Sequence, residues 1–378
     1  MPKNWRTIIV SAALEQIGAQ VALAKLEADL CGFHSHSSLA LGLSLHVSST
    51  LAQREAQHFP DLRIRIRQDS CAHHACSIVA RRSRLGAFSA VELRQESSES
   101  CSDAGTPEVE AVVRTLRPLV VGHVIRRCNV IHPIAIAKPA RISKHAAAHA
   151  FVRHVERQHI CSIERQGKYI LLHLDKGVIA AHFRLDGKFL WSDGAQIKTR
   201  VDVAFHFARG TLGYVDPRHL GRVQWVSRPE EIRGIATLGP DPLAKDFTAR
   251  VLHERLAATE RPLKTALMDP ARIAGLGNIY ACESLWRARL DPRRPARSLG
   301  AAECGRLHNA IVDVLLRALE CCLATAPDFR KPDWWFTGLD KMIRVYGREG
   351  KRCGRCGKKI RRLMQGGRST FVCLRCQK

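Results

Sequence analysis

Cys353 and Cys356 in "CGRC" and Cys373 and Cys376 in "CLRC" form two C-x-x-C pairs with sixteen residues between them. Each pair can turn two thiolates toward one point, and two such knuckles present four sulfurs tetrahedrally, the geometry zinc accepts. Stray cysteines or a redox pair are the alternatives, but neither needs a repeated spacing. Four thiolates leave no open coordination position, so the expected zinc, one per chain, is structural. Its work would be to hold rigid the hairpin between the pairs, which carries the basic turn "QGGRST".

The elements that position this tail are strongly basic. The chain of 378 residues carries a formal charge of +25, of which residues 1–105 contribute only +1. A positive surface of this size points to a polyanionic partner, because each Lys or Arg set against a phosphate releases condensed counterion. No apolar run approaches the roughly 18 residues of a membrane helix, and the start lacks the pattern of a signal peptide. Fourteen cysteines in a chain this long, unevenly placed, do not read as a stapled secreted scaffold, so a reducing, intracellular setting is expected.

Residues 1–105 show little sustained periodicity; "NWRTIIVSAALEQIGAQVALAKLEADL" reads as one helix with Ile9, Ala13, Ile17 and Val21 on a face. From Thr106 the signals sharpen. Thr106 suits a helix cap, Pro107 its first turn, and Glu108 and Glu110 its positive end. Val109, Val112, Val113, Leu116 and Val120 then make one apolar stripe. "KYILLHL", a "DKG" turn, "VIAAHFRL" and "VDVAFHFARGTLGYV" read as antiparallel strands, hence a sandwich or barrel. After "LGPDPL" the pattern turns helical, and Leu307, Ile311, Leu315, Leu319 and Cys322 mark the buried face of the longest helix.

The segments "TPEVE", "GKYILLHL", "DPRHLGR", "KTALMDPARIAGLGNIYACESLW" and "GGRSTFVCLRCQK" occur in one order across residues 106–378. Together they resemble the formamidopyrimidine-DNA glycosylases of the helix-two-turn-helix superfamily. The resemblance implies an α+β protein with an N-terminal antiparallel β-sandwich over 106–236 and a helical helix-two-turn-helix domain over 245–344. A four-cysteine zinc finger over 345–378 would follow, with residues 1–105 an unassigned extension. It further implies base-excision repair of double-stranded DNA by a monomer in the cytoplasm, associated with the nucleoid. Members remove 8-oxoguanine and formamidopyrimidines, then nick the strand as AP lyases by β,δ-elimination.

Such chemistry needs the damaged base flipped out of the stack and the gap filled. Resemblance assigns gap-filling to Leu185, Arg218 and Leu220, where the family's Met and Phe have both become leucine. By themselves these three would read as a loop arginine and two core leucines. Lys168 would be a phosphate contact beside the lesion with a proton-donor role in elimination, and His182 another backbone contact. Lys264 and Asn278 would bind phosphate from the helix-two-turn-helix, and Arg368 would grip phosphates around the flipped nucleotide with its planar fork. Unaided, Lys168 reads as a surface lysine and Asn278 as a helix cap. Residues 325–344, with Trp334, Trp335 and Phe336, replace a glycine- and serine-rich lid; stacking on a base and packing between domains are both open.

The family's nucleophile is missing. Its mature chain begins Pro-Glu-Leu-Pro-Glu-Val-Glu; the terminal proline amine attacks the sugar C1′, and the next Glu protonates the sugar. Aligned on "PEVE", these positions fall on Ala104 and Gly105 in mid-chain. An amide nitrogen is not nucleophilic, whereas a free α-amino group titrates near about 7.7–8.0. Asp-Ala-Gly-Thr at 103–106 is encoded GAY-GCN-GGN-ACN, and one base later this can spell Met-Pro-Glu-Leu. Residues 1–105 therefore read as out-of-frame sequence fused to a damaged glycosylase gene, leaving this chain impaired in catalysis. Three alternatives stand beside it: a true extension that makes a lesion-binding protein, a non-catalytic zinc-dependent DNA-binding protein, and a glycosylase recruiting Lys168 or another amine.

Overall fold

The computed structural model describes residues 105–378, apart from 139–141, 195–196 and 198, together with four strands nearer the start. Those strands are β1 (Trp5–Ile8), β2 (Ile64–Arg67), β3 (Ala75–Arg82) and β4 (Phe88–Glu96). They pair in the order β1-β2-β4-β3, with β2 and β4 parallel and the other pairs antiparallel. Trp5–Ile8 thus pairs as a strand inside the stretch expected as a helix; the rest of that stretch, like Ala104, lies outside the described residues.

The second unit begins with helix α1 (Thr106–Val120), capped by Gly105 and with Pro107 in its first turn. Its expected stripe of Val109, Val112, Val113, Leu116 and Val120 is wholly buried. Eight strands follow: β5 (Arg127–Val130), β6 (Ile160–Gln166), β7 (Tyr169–Leu174), β8 (Val178–His182), β9 (Lys188–Ser192), β10 (Val203–His206), β11 (Thr211–Val215) and β12 (Arg222–Val226). They form two four-stranded sheets, β5-β10-β11-β9 and β12-β8-β7-β6, antiparallel throughout. Phe189, Phe205, Leu212 and Tyr214 of one sheet share a core with Ile170, Leu172, Ile179 and Val223 of the other. This is the sandwich rather than the barrel. Helix α2 (Lys144–Val155) starts at Ser143, whose hydroxyl accepts the N–H of Ala146 at 3.1 Å.

After the short helix α3 (Arg233–Ala236) come α4 (Ala249–Ala257), α5 (Leu263–Leu267), α6 (Asn278–Ala288) and α7 (Ala301–Ala324). Leu307, Ile311, Leu315, Leu319 and Cys322 are buried along α7, as the spacing predicts. Two turns lie between α5 and α6, and Gly275 in the second has φ +75°. A Cβ there would also lie 2.2 Å from Thr106 Oγ1, so both conformation and space require glycine.

Residues 325–338, leading to helix α8 (Leu339–Met342), pack onto the sandwich. Trp334 Nε1 donates to Phe189 O at 2.7 Å, Trp191 N to Phe329 O at 2.8 Å, and Arg330 pairs with Asp193 at 2.5 Å. Lys188 Nζ donates to Pro332 O. Trp334 and Phe336 are buried and Trp335 is exposed, so packing between domains accounts for two of the three aromatic rings. The chain ends in a hairpin of β13 (Arg361–Gln365) and β14 (Arg368–Val372).

Candidate active site and nucleic-acid interface

The start of α1, the turn before β7 and the start of α6 converge on one cluster. Lys168 reaches in from the β6–β7 turn; its Nζ would lie 3.5 Å from a Cβ on Gly277, and that same Cβ would be 4.0 Å from Gly105 Cα. Glu108 is buried beneath them. Its carboxylate accepts the Tyr280 hydroxyl at 2.5 Å and the Gly105 N–H at 2.9 Å. Burial pushes the Glu108 carboxyl above the ordinary carboxylate range, against the lowering effect of the Tyr280 bond and the Lys168 charge. Burial and the neighbouring Glu108 raise the Tyr280 phenol as well. A hydrogen-bonded acid and an amine thus face the helix start where resemblance puts the chemistry.

Gly105 itself supplies neither acid nor nucleophile. Its nitrogen is an amide within the chain, donating to Glu108 as a helix cap. A Cβ on Gly105 would lie 2.5 Å from Tyr280 Cε2, so any side chain here needs that ring to move. Thr106, expected as the cap, instead begins the helix, fully buried, and its hydroxyl has no hydrogen-bond partner.

Two loops of the sandwich carry the residues expected to fill a gap. Leu185 lies between β8 and β9, just after Arg184, whose φ is +56°. Arg218 and Leu220 lie between β11 and β12, and β12 pairs with β8 so that Arg222 faces His182. The loops are tied by the Arg218–Asp186 ion pair. Asp216, itself buried, accepts the N–H groups of Arg218 and Gly221 at 3.1 and 2.5 Å and so shapes the second loop. Leu185 is half-buried and Leu220 exposed, which makes them loop residues rather than core leucines. His182 Nδ1 accepts the Arg184 N–H at 3.0 Å, placing that imidazole at the root of the first loop.

The third group gathers on the terminal hairpin. Gln365 pairs with Arg368 across Gly366 and Gly367, whose φ values of +56° and +73° fit a two-residue turn matched to strand twist. Arg368 is exposed at the start of β14. Behind it, Lys264 Nζ donates to Ser369 O at 3.0 Å and Thr370 Oγ1 at 2.8 Å, and Asn278 Nδ2 donates to Ser369 O at 3.1 Å. Lys264 thus faces the hairpin rather than solvent. Its side chain is 1% exposed and committed to the hairpin, and burial plus the nearby Arg368 charge lower its pKa. Asn278 likewise begins α6 under a Gly277 cap, so it is not itself the cap residue.

The four sulfurs of Cys353, Cys356, Cys373 and Cys376 lie within 4.8 Å of one another, with Cys353–Cys376 at 3.9 Å and Cys356–Cys373 at 3.4 Å. Zinc with bonds of about 2.3 Å sets tetrahedral sulfurs about 3.8 Å apart, so the set fits the metal. The finger is seated on α6: Arg355 stacks 3.8 Å from the Trp286 ring, and Cys282, Trp286, Val345, Ile360 and Phe371 share one buried cluster with the ligands. Glu283, buried on α6, accepts the N–H groups of Arg344, Val345 and Tyr346, each at 2.9 Å. Sequence reasoning missed the Glu108–Tyr280 pair and Glu283. Glu108 showed only as a helix-end acid, and nothing in "NIYACES" marks which polar side chains turn inward.

A β-sandwich, a helical domain with two turns between short helices, and a four-cysteine finger behind an arginine hairpin define a helix-two-turn-helix DNA glycosylase. Residues 105–223 match the formamidopyrimidine-DNA glycosylase N-terminal domain, 238–327 its H2TH domain, and 350–378 the zinc finger found in FPG and IleRS. The formamidopyrimidine-DNA glycosylase of Bacillus licheniformis is 36% identical over 276 residues, 72% of this chain and 98% of its own. That of Thermus thermophilus is 39% identical, covering 72% of this chain and 97% of its own. The crystal structure of the Thermus thermophilus Fpg superposes with a TM-score of 0.61 at 37% identity over 72% of this chain and 98% of that one. Lactococcus lactis Fpg in complex with DNA containing N7-benzyl-Fapy-dG gives 0.64 at 26% identity, over 73% and 100%. The chain belongs to the formamidopyrimidine-DNA glycosylase family.

Proposed function

We propose that residues 105–378 bind duplex DNA carrying oxidised purines, 8-oxoguanine and formamidopyrimidines among them, and that this chain cleaves it slowly. The observation that carries the second half is the Gly105 nitrogen, an acylated amide donating to Glu108 where the family has an acidic side chain beside a free proline amine. Binding draws on groups that remain: Arg218 on a sandwich loop, and Arg368 on a hairpin whose Ser369 carbonyl is held by Lys264 and Asn278. Family chemistry would excise the base and break the strand by β,δ-elimination once an amine forms a Schiff base at C1′. In this chain Lys168 sets an amine close to that point, which makes it the candidate for residual lyase activity.

Thr106 favours the damaged-frame reading over an evolved extension. A fully buried hydroxyl with no partner is unfavourable, and the alternative frame places leucine there. The test compares this chain with a variant beginning Met-Pro-Glu-Leu and continuing from Pro107, its Met removed by processing. On an 8-oxoguanine duplex the restored chain should cleave and give a borohydride-trapped adduct at its terminal proline. The present chain should bind the same duplex and yield little adduct, with any trace mapping to a lysine and lost in Lys168→Ala. Equal cleavage by both chains, with the present one intact at its N-terminus, overturns the reading. Binding with no adduct from either supports a damaged-DNA-binding protein.

A further inference from the structure

Away from the Glu108–Lys168 cluster and the finger, one end of the sandwich brings together three unlike donors. His159 precedes β6, Cys161 is its second residue, and Asp175 follows β7. The β6–β7 pairing slips between Ile160, opposite Leu174, and Ser162, opposite His173. That bulge leaves Cys161 without a partner in the ladder, and both Cys161 and Ser162 are exposed where strict alternation would bury one. Cys161 Sγ lies 3.7 Å from His159 Nδ1 and 3.7 Å from Asp175 Oδ1. The carboxylate is oriented by its other oxygen, since Asp175 Oδ2 accepts the His159 N–H at 2.7 Å.

We propose that His159 Nδ1, Cys161 Sγ and Asp175 Oδ1 form a second cation site, for a thiophilic divalent ion of the zinc class, with its fourth position open to water. Zinc bonds of about 2.3 Å to sulfur and about 2.0–2.1 Å to nitrogen, at the tetrahedral angle, set the two donors about 3.5–3.6 Å apart. The observed 3.7 Å needs almost no rearrangement. Sulfur and imidazole select against magnesium and calcium, which take oxygen donors. A cation between thiolate and carboxylate also turns two repelling anions into ligands. The Oδ2 bond is the outer contact that holds a metal-binding carboxylate in register. Along β7, Asp175 stands about 23 Å from Lys168 at about 3.3 Å per residue, so the site is separate from the Glu108–Lys168 cluster.

The test uses the full chain, dialysed against a mild chelator and confirmed to retain the finger's zinc, then titrated with cobalt(II). One further equivalent should bind with sulfur-to-cobalt charge transfer of a single thiolate. Cys161→Ser should abolish that band. His159→Ala should weaken binding by more than the roughly tenfold typical of an outer-shell partner, with zinc content of the finger unchanged in both. In parallel, zinc at one added equivalent should slow alkylation of Cys161 by iodoacetamide, followed by peptide mapping. Identical cobalt titrations in the parent chain and Cys161→Ser, or alkylation of Cys161 that is indifferent to zinc, overturn the site.

Discussion

Glu108 shows how burial sets the behaviour of one residue. Its pKa is raised chiefly by desolvation, so its ionised form is the unfavourable one in the folded chain. The sign follows from linkage: its contribution to stability is fully present below the unfolded value near 4.5 and is lost as pH rises through the folded value. Glu108→Gln cannot ionise and escapes that loss. Urea unfolding from pH 4 to 8 should therefore show the parent chain losing stability relative to the variant as pH rises; a constant difference would contradict the assignment. Thr106 offers a second test. Thr106→Val removes the unpaired buried hydroxyl at nearly constant shape and should stabilise the fold by about 1 kcal/mol, read from the same unfolding curves. Arg368→Ala should weaken duplex binding across sequences and reduce the slope of log affinity against log salt by about one.

Among the elements, the terminal hairpin depends on three supports at once. Zinc fixes its base, the Gly366-Gly367 turn fixes its register, and Lys264 with Asn278 fixes its face through Ser369. Cys373→Ser should release the metal and disorder the hairpin, because binding free energy at such a site is folding free energy. Lys264→Ala should leave zinc content intact while loosening Ser369 and Thr370, visible as faster amide exchange in β14. Arg368→Ala should change neither. Equal effects of Lys264→Ala and Arg368→Ala on amide exchange would show that Lys264 does not position the hairpin.

At the scale of the whole molecule, charge and packing divide the work between regions. The +24 borne by residues 106–378 suits a long anionic partner, while 1–105 is nearly neutral. Trp334 joins α7's end to the sandwich, buried between Phe329 and Phe336 and bonded to Phe189 O. Trp334→Ala should cost about 3–5 kcal/mol of stability, most of it from the cavity. Thermal unfolding followed by circular dichroism measures this, and a shift below the lower bound would mean the segment packs loosely. Residues 325–338 pack as a strap against the sandwich, bonded to Lys188, Trp191 and Asp193.

What the sequence determined by itself was whatever depends on near neighbours. The α1 and α7 stripes, the strand runs and the paired C-x-x-C knuckles are all periodic or closely spaced, so local geometry settles them. The ordered motifs were enough to point to the family. Tertiary structure alone decided the contacts across long separations: Tyr280 with Glu108 over 172 residues, Lys264 with Thr370 over 106, and Trp334 with Phe189 over 145. No spacing rule reports which buried oxygen meets which donor after two domains have packed. The same holds for Thr106, polar by type but sealed in by Gly275, and for Cys161, turned outward by a bulge that the pairing of β6 with β7 creates. Side-chain chemistry is written along the chain, but its desolvation and its partners exist only once the chain has closed around it.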